Sequence, residues 1–112
     1  MPADANQHGD IFGGWVMSQV DIAGAVPAAR RARGRVATVA VNSFVFKQPV
    51  LVGDVVSFLT RVIRIGTTSI TVHVSVEAER DGKTVRLTEA EVVFVAIDLK
   101  DGQRHPRPIT GA

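Results

Sequence analysis

A single aspartate, Asp21, stands in a segment that is otherwise apolar, small or uncharged, residues 13–26. Burying a carboxylate in such surroundings is costly unless the group is paired or used in a reaction. A carboxylate in this position can act as a general base that activates water, or as a nucleophile that attacks an electrophilic carbonyl. The structural alternative is an aspartate on a solvated helix face, but the hydrophobic flanks favour a helix that is buried on all sides.

Two glycines, Gly13 and Gly14, stand where a polar loop enters the predicted helix. Glycine lets the backbone come close to a ligand, and the free N–H groups of a first helical turn bind oxyanions or polarised carbonyl oxygens. Gly14 and Asp21 share a helix face, with about 10 Å between them along the axis. A carbonyl held at the glycines and a water held by Asp21 are the parts of a hydrolase. Alternatively, the glycines only allow the helix to pack closely on a sheet.

Other polar residues carry weaker indications. No histidine and carboxylate residues show the spacing of metal ligands, so we expect no metal site. Ser18 has no paired histidine and is not predicted to be a nucleophile. His73 is predicted to lie on the surface. The arginines at the helix end could contact phosphate groups, although a solvated helix end is the favoured interpretation; they are Arg30, Arg31, Arg33 and Arg35.

The elements that position these residues are one helix and four strands. We predict a helix from about Gly13 to Ala32, with a kink or break near Pro27 because proline lacks a backbone donor. Alternating apolar residues and turn dipeptides such as Asp81-Gly82 predict strands at 36–46, 55–65, 69–80 and 84–99. Successive strands with short turns form an antiparallel sheet, so the fold class is α+β, with residues 1–112 as one domain.

The composition restricts the class of protein. The 112 residues are 46% hydrophobic and include no cysteine, which excludes disulfides and thiolate chemistry. The net charge of +2 is too small to indicate a nucleic-acid partner. The chain shows neither a membrane-spanning run nor a signal peptide, so we expect a cytoplasmic protein without a membrane partner. Val92–Ile97 is apolar on both strand faces, which predicts cover from a second subunit.

The motif Gly-Asp-Ile-Phe-Gly-Gly-Trp, followed by Met-Ser-Gln-Val-Asp, resembles the acyl-CoA thioester hydrolases of the hotdog fold, and in particular the small bacterial enzymes related to cytosolic acyl-CoA hydrolases. The likeness extends through Thr38-Val39-Ala40-Val41, Phe46-x-x-Pro49 and Val52-Gly53-Asp54 to Phe94–Asp98. It implies a sheet wrapped around the helix and an active site formed between two chains. It also implies dimers that commonly assemble into trimers of dimers.

The same resemblance assigns roles to individual residues. It implies that Asp21 is the catalytic carboxylate and that a backbone N–H at Gly13–Gly14 polarises the thioester carbonyl. It further implies that a turn contacts coenzyme A, namely Gly66, Thr67, Thr68 and Ser69. We assign His8, Asp10 and Phe12 to substrate binding. For Asp10, helix capping is favoured over assistance to catalysis, and for His8 a plain loop position is the favoured alternative. Coenzyme A is then part of the substrate, and no separate cofactor is expected.

The chain also departs from the pattern of this family. Relatives usually have a strand before the segment that opens this chain, so we expect one strand fewer. Relatives often carry Asn, Arg and Asn where His8, Thr67 and Val45 stand, and the missing arginine at 67 weakens a phosphate contact there. We therefore predict an acyl-CoA thioesterase with acyl-CoA as substrate and a homo-oligomeric assembly. The alternatives are a hotdog hydratase or dehydratase, which usually pairs a carboxylate with a histidine, and a non-catalytic acyl-CoA binding module.

Overall fold

The helix, α1 (Gly13–Ala32), begins the part of the chain that the computed structural model describes, residues 13–110. One face of α1 is buried at every fourth position: Val16, Val20, Gly24, Ala28 and Ala32. The helix runs unbroken through Pro27, so the predicted break is absent. Gly24 and Ala28 lie buried on either side of Pro27, and this packing compensates for the missing donor.

The expectation of a helix buried on all sides is wrong for the single chain. The side chains of Ile22 and Val26, on the face opposite the sheet, are 61% and 49% exposed. Asp21 lies between the buried and exposed faces and is half-buried. The carboxylate is therefore open on one side.

Five strands form one antiparallel sheet, and the predicted α+β class, with one long helix against an antiparallel sheet, is confirmed. They are β1 (Val36–Phe46), β2 (Val56–Ile65), β3 (Ser69–Arg80), β4 (Lys83–Lys100) and β5 (Gln103–Pro106). The order across the sheet is β1-β4-β3-β2, and β5 pairs with the end of β4.

The fifth strand, β5, was not among the four strands predicted from the sequence. The turn before it, Asp101-Gly102, has φ angles of 52° and 73°, nearly those of Asp81-Gly82 at 52° and 74°. Both dipeptides form the same type of hairpin turn, with positive φ at both central residues. Asp101-Gly102 is therefore a hairpin signal of the same kind as Asp81-Gly82, and it predicts the pairing of β5 with β4.

The core lies between α1 and one face of the sheet. Ile70, Val72 and Val74 of β3 and Val92 and Phe94 of β4 are almost completely buried there. At Gly24 an added Cβ would lie 3.3 Å from Phe94 and 3.3 Å from Val74. Gly24 is thus the glycine that lets α1 approach the sheet closely. From the sequence, this packing role was an alternative only for Gly13 and Gly14.

The two edges of the sheet are exposed in the single chain. The edge strand β1 carries four apolar side chains that are 43–57% exposed: Val39, Val41, Val45 and Phe46.

No helix within residues 13–110 is long and apolar enough to cross a membrane.

The loop between β1 and β2 is held by one ion pair. Arg80 donates to Asp54 at 2.6 Å and to the carbonyl of Pro49 at 2.8 Å, while Asp54 accepts from the Leu51 amide at 2.8 Å. The Asp54 side chain is only 9% exposed. The hydrogen bond from Arg80 lowers the pKa of Asp54 below its ordinary value.

Candidate active site

The carboxylate of Asp21 is bonded to the edge strand. The Thr38 hydroxyl donates to Asp21 Oδ1 at 2.5 Å and so joins the middle of α1 to β1. A hydrogen bond to a carboxylate fixes its orientation. The second carboxylate oxygen has no hydrogen bond to another described side chain or backbone group.

A cavity of about 260 Å³ opens beside this hydrogen bond, between α1 and β1. Its polar groups, Ser18, Asp21 and Thr38, come from the two elements that bound it. Most of the remaining lining is apolar: Met17, Val20, Val41, Phe44 and Val92. An apolar cleft with a carboxylate at its wall suits a ligand with a hydrocarbon part and a polar reacting group.

The start of α1 has free space around Gly14. Gly14 is exposed, and a Cβ built there meets no atom within 4 Å among residues 13–110 outside its own stretch of helix. Close helix–sheet packing is therefore not the role of Gly14 within one chain, whereas a ligand has room to approach the first helical turn. Gly13 is the first residue of the same turn.

The predicted coenzyme A turn lies on the other side of β4 from β1. The Gly66 amide donates to the carbonyl of Ser69 at 2.8 Å, and the carbonyl of Thr68 accepts from Ala96 of β4. Thr38 of β1 and Ile70 of β3 both pair with Phe94 of β4. Two strand spacings, about 10 Å, therefore separate β3 from β1, the strand whose Thr38 is bonded to Asp21. One chain therefore does not bring Gly66–Ser69 and Asp21 into contact.

The remaining sequence predictions fall in three groups. His8, Asp10 and Phe12 lie outside the described residues. His73 lies on the outer sheet face, with a side chain that is 25% exposed and 3.4 Å from Glu89. No cluster of metal-ligating side chains occurs among residues 13–110.

Thr38 is the site residue that sequence reasoning missed. Thr38 was named only as part of a motif shared with the acyl-CoA thioester hydrolases. A threonine in a strand rich in valine has no pattern that distinguishes it. Its role depends on the pairing of β1 with β4, which places it opposite Phe94 and beneath α1. No local signal in the sequence reports that long-range pairing.

Comparison with known proteins gives the class of this chain. The sequence profile of the thioesterase superfamily matches residues 8–85. The chain is 47% identical to the acyl-CoA thioester hydrolase YciA of Salmonella typhimurium over 116 residues, covering 99% of this chain and 86% of that one. The protein therefore belongs to the thioesterase superfamily.

Solved structures agree with this assignment. A hexameric thioesterase from Yersinia pestis is 47% identical with a TM-score of 0.89, covering 99% of this chain and 89% of that chain. An acyl-CoA hydrolase from Staphylococcus aureus, solved with butyryl coenzyme A, is 29% identical with a TM-score of 0.87; the match covers 99% of this chain and 67% of that one.

Proposed function

We propose that this protein hydrolyses acyl-CoA thioesters to a carboxylic acid and coenzyme A. The observation that carries the proposal is the Asp21 carboxylate, oriented by Thr38 at the wall of a largely apolar cavity. The similarity to acyl-CoA thioester hydrolases supports the same substrate class. Coenzyme A enters as part of the substrate, and the reaction needs no further cofactor.

In the proposed reaction, the thioester carbonyl oxygen accepts a hydrogen bond from the first turn of α1 at Gly13–Gly14. This donor stabilises the negative charge that develops on the oxygen as the tetrahedral intermediate forms. As a general base, Asp21 removes a proton from water, the oxygen of that water bonds to the carbonyl carbon, and the thiolate of coenzyme A leaves. As a nucleophile, Asp21 instead bonds to the carbonyl carbon and displaces the thiolate of coenzyme A, which leaves a mixed anhydride; water then hydrolyses this anhydride to the carboxylic acid and restores the Asp21 carboxylate.

The acyl chain would occupy the apolar part of the cavity. Met17, Val41 and Phe44 surround a space that a hydrocarbon can fill, and their burial by a ligand removes apolar surface from water. A hydratase reaction would place a histidine beside the carboxylate, but the part of α1 that the structure describes contains none. A binding module would need no carboxylate at this position.

We infer that the working form is a homo-oligomer, with a dimer as its minimum unit and a trimer of dimers as the complete particle. The exposed apolar edge strand β1 offers unpaired backbone groups to a second copy. Pairing there would bring another chain to the open side of Asp21. The hexameric Yersinia relative supports this assembly.

The experiment is steady-state hydrolysis of a panel of acyl-CoA substrates, followed by release of free thiol. We expect Asp21→Asn, which keeps the shape and removes the base, to lower kcat by at least about 100-fold while the protein stays folded. Leu59→Ala, an exposed position away from the cavity, is the control and should keep full activity. A folded Asp21→Asn protein with more than about half the activity would remove Asp21 from the mechanism.

A further inference from the structure

A second cavity, larger than the first at about 610 Å³, lies where α1 ends. Three segments that are distant in sequence meet there: the residues after α1, the end of β4 and the segment after β5. Its lining contains three arginines, Arg33, Arg35 and Arg107, and one carboxylate, Asp98. The cavity therefore carries an excess of positive charge.

Arg107, which directly follows β5, binds the end of α1 and one carboxylate. It donates to the carbonyl of Ala32 at 2.5 Å and lies 3.5 Å from Asp98, so it satisfies the helix end and offsets the one carboxylate. A Cβ at Gly34 would lie 2.7 Å from the Arg107 guanidinium, so glycine leaves the space that this side chain fills. Arg107 thus neutralises the groups that would repel an anion.

The other two arginines are available to a ligand. Arg33 and Arg35 are exposed, and within residues 13–110 neither side chain forms a hydrogen bond or an ion pair. Arg33 has a positive φ of 57°, which redirects the chain directly after α1. Planar guanidinium groups bind phosphate oxygens through paired hydrogen bonds, so this cavity suits a ligand with more than one phosphate.

The cavity lies within reach of the proposed reaction site. Arg35 directly precedes β1, three residues before Thr38, which corresponds to about 10 Å along an extended chain. The pantetheine arm of coenzyme A is longer than this separation. The neighbouring β4 residues Ala96 and Ile97 donate to Thr68 and Arg35 respectively, so the uncharged Gly66–Ser69 turn flanks the same point of β4.

We propose that this cavity binds the phosphate groups at the nucleotide end of coenzyme A, through Arg33 and Arg35. The proposal rests on the proposed function for the identity of the ligand. It assigns the phosphate contacts to the end of α1 and not to the Gly66–Ser69 turn, in which Thr67 carries no charge. Removal of the two arginines should then weaken binding of coenzyme A esters and leave the thioester chemistry intact.

The test compares Arg33→Gln/Arg35→Gln with a control that loses the same charge elsewhere, Arg61→Gln/Lys83→Gln, at exposed positions on β2 and at the start of β4. Each protein is assayed with an acyl-CoA and with the matching acyl-pantetheine, which has the same thioester but no nucleotide. We expect the first variant to raise KM for acyl-CoA about tenfold, with kcat and the acyl-pantetheine reaction unchanged. The control should match the wild type. An unchanged KM, or an equal loss with both substrates, would overturn the proposal.

Calorimetric titration with adenosine 3′,5′-bisphosphate separates this proposal from the proposed function, because it needs no hydrolysis. We expect the bisphosphate to bind the wild type and Asp21→Asn equally, and to bind Arg33→Gln/Arg35→Gln at least tenfold more weakly. Its affinity for the wild type should fall as salt is added. Equal binding by the arginine variant would refute the phosphate site even if the enzyme hydrolyses acyl-CoA. ATP that binds at these arginines without competing with acyl-CoA would assign the cavity to a free nucleotide and contradict the substrate assignment.

Discussion

At the scale of single residues, the hydrogen bond from Thr38 to Asp21 is the most specific feature of the proposed site. It holds one carboxylate oxygen at 2.5 Å and leaves the other for water or for the carbonyl carbon. Thr38 would therefore be a positioning residue, which acts through Asp21 without touching the reacting atoms. Its contribution can be separated from that of Asp21 by conservative substitution.

Thr38→Val should lower kcat about tenfold, because valine keeps the strand and the volume but removes the hydroxyl donor. KM should change little, and Thr38→Ser should restore most of the activity. A Thr38→Val enzyme with the wild-type kcat would exclude the positioning role.

Gly14→Ala should leave Tm unchanged or slightly higher, because alanine favours a helix and a Cβ at Gly14 has no neighbour within 4 Å. Activity should nevertheless fall, with kcat/KM reduced tenfold or more, about 1.4 kcal/mol in the transition state. Gly24→Ala is the matched comparison: its Cβ meets Phe94 and Val74 at 3.3 Å, so this substitution should affect Tm more than turnover. A lower Tm with normal turnover in Gly14→Ala would contradict the oxyanion role of this turn.

At the scale of elements, the Asp54–Arg80 pair fixes the connection between β1 and β2 onto the end of β3. The hydrogen bond from Arg80 depresses the folded-state pKa of Asp54 below the ordinary 3.8. The pair therefore contributes in full above that pH, and its contribution is lost as the pH falls from 3.8 through the folded-state value. Protonation of Asp54 releases both Arg80 and the Leu51 amide.

Asp54→Asn should lower Tm by several degrees at pH 7, because Arg80 loses its charged partner in a largely buried setting. The difference in Tm between the variant and the wild type should shrink as the pH falls below 3.8. Thermal unfolding from pH 7 to pH 3, followed by circular dichroism, measures both effects. Asp81→Asn, at an exposed turn, controls for the loss of one negative charge. If the difference in Tm between Asp54→Asn and the wild type stays constant with pH, this ion pair is not its source.

The sequence predicted elements well and long-range contacts poorly. The alternating apolar residues and the Asp81-Gly82 turn predicted β3 and β4 correctly, because these signals are local. The packing role of Gly24 and the bond between Thr38 and Asp21 depend on which strands become neighbours, and no local pattern carries that information. Pro27 illustrates the same limit, since buried contacts on both sides of it outweigh its local tendency to break a helix.

At the scale of the whole molecule, the open side of Asp21 and the apolar edge strand β1 lie together. A chain that exposes Val39 at 57% and Val45 at 51% along an edge would be prone to association. In the proposed dimer, pairing of two such edges would extend the sheet through both copies and cover the cleft. Assembly and activity should therefore be lost together.

Val39→Lys/Val45→Lys should convert the oligomer to smaller species and reduce kcat, because lysines along an edge strand oppose pairing with another strand. The control is Val52→Lys/Val55→Lys, which adds the same charge at positions that are 60% and 78% exposed outside the strands. Light scattering and hydrolysis are measured on the same samples at micromolar concentration. A wild-type protein that is an active monomer there would contradict the proposed assembly.

The order of strands in the sheet also has a consequence for the folding kinetics of the protein. β3 and β4 are joined by a two-residue turn, whereas β1 reaches β4 only after the two intervening strands are in the chain. Contacts between distant segments form slowly, because closing a long loop costs entropy before any contact is gained. We expect the β3–β4 hairpin to fold early and β1 to dock last. Thr38 would then reach Asp21 in the final step, so enzymatic activity should return later during refolding than the sheet signal.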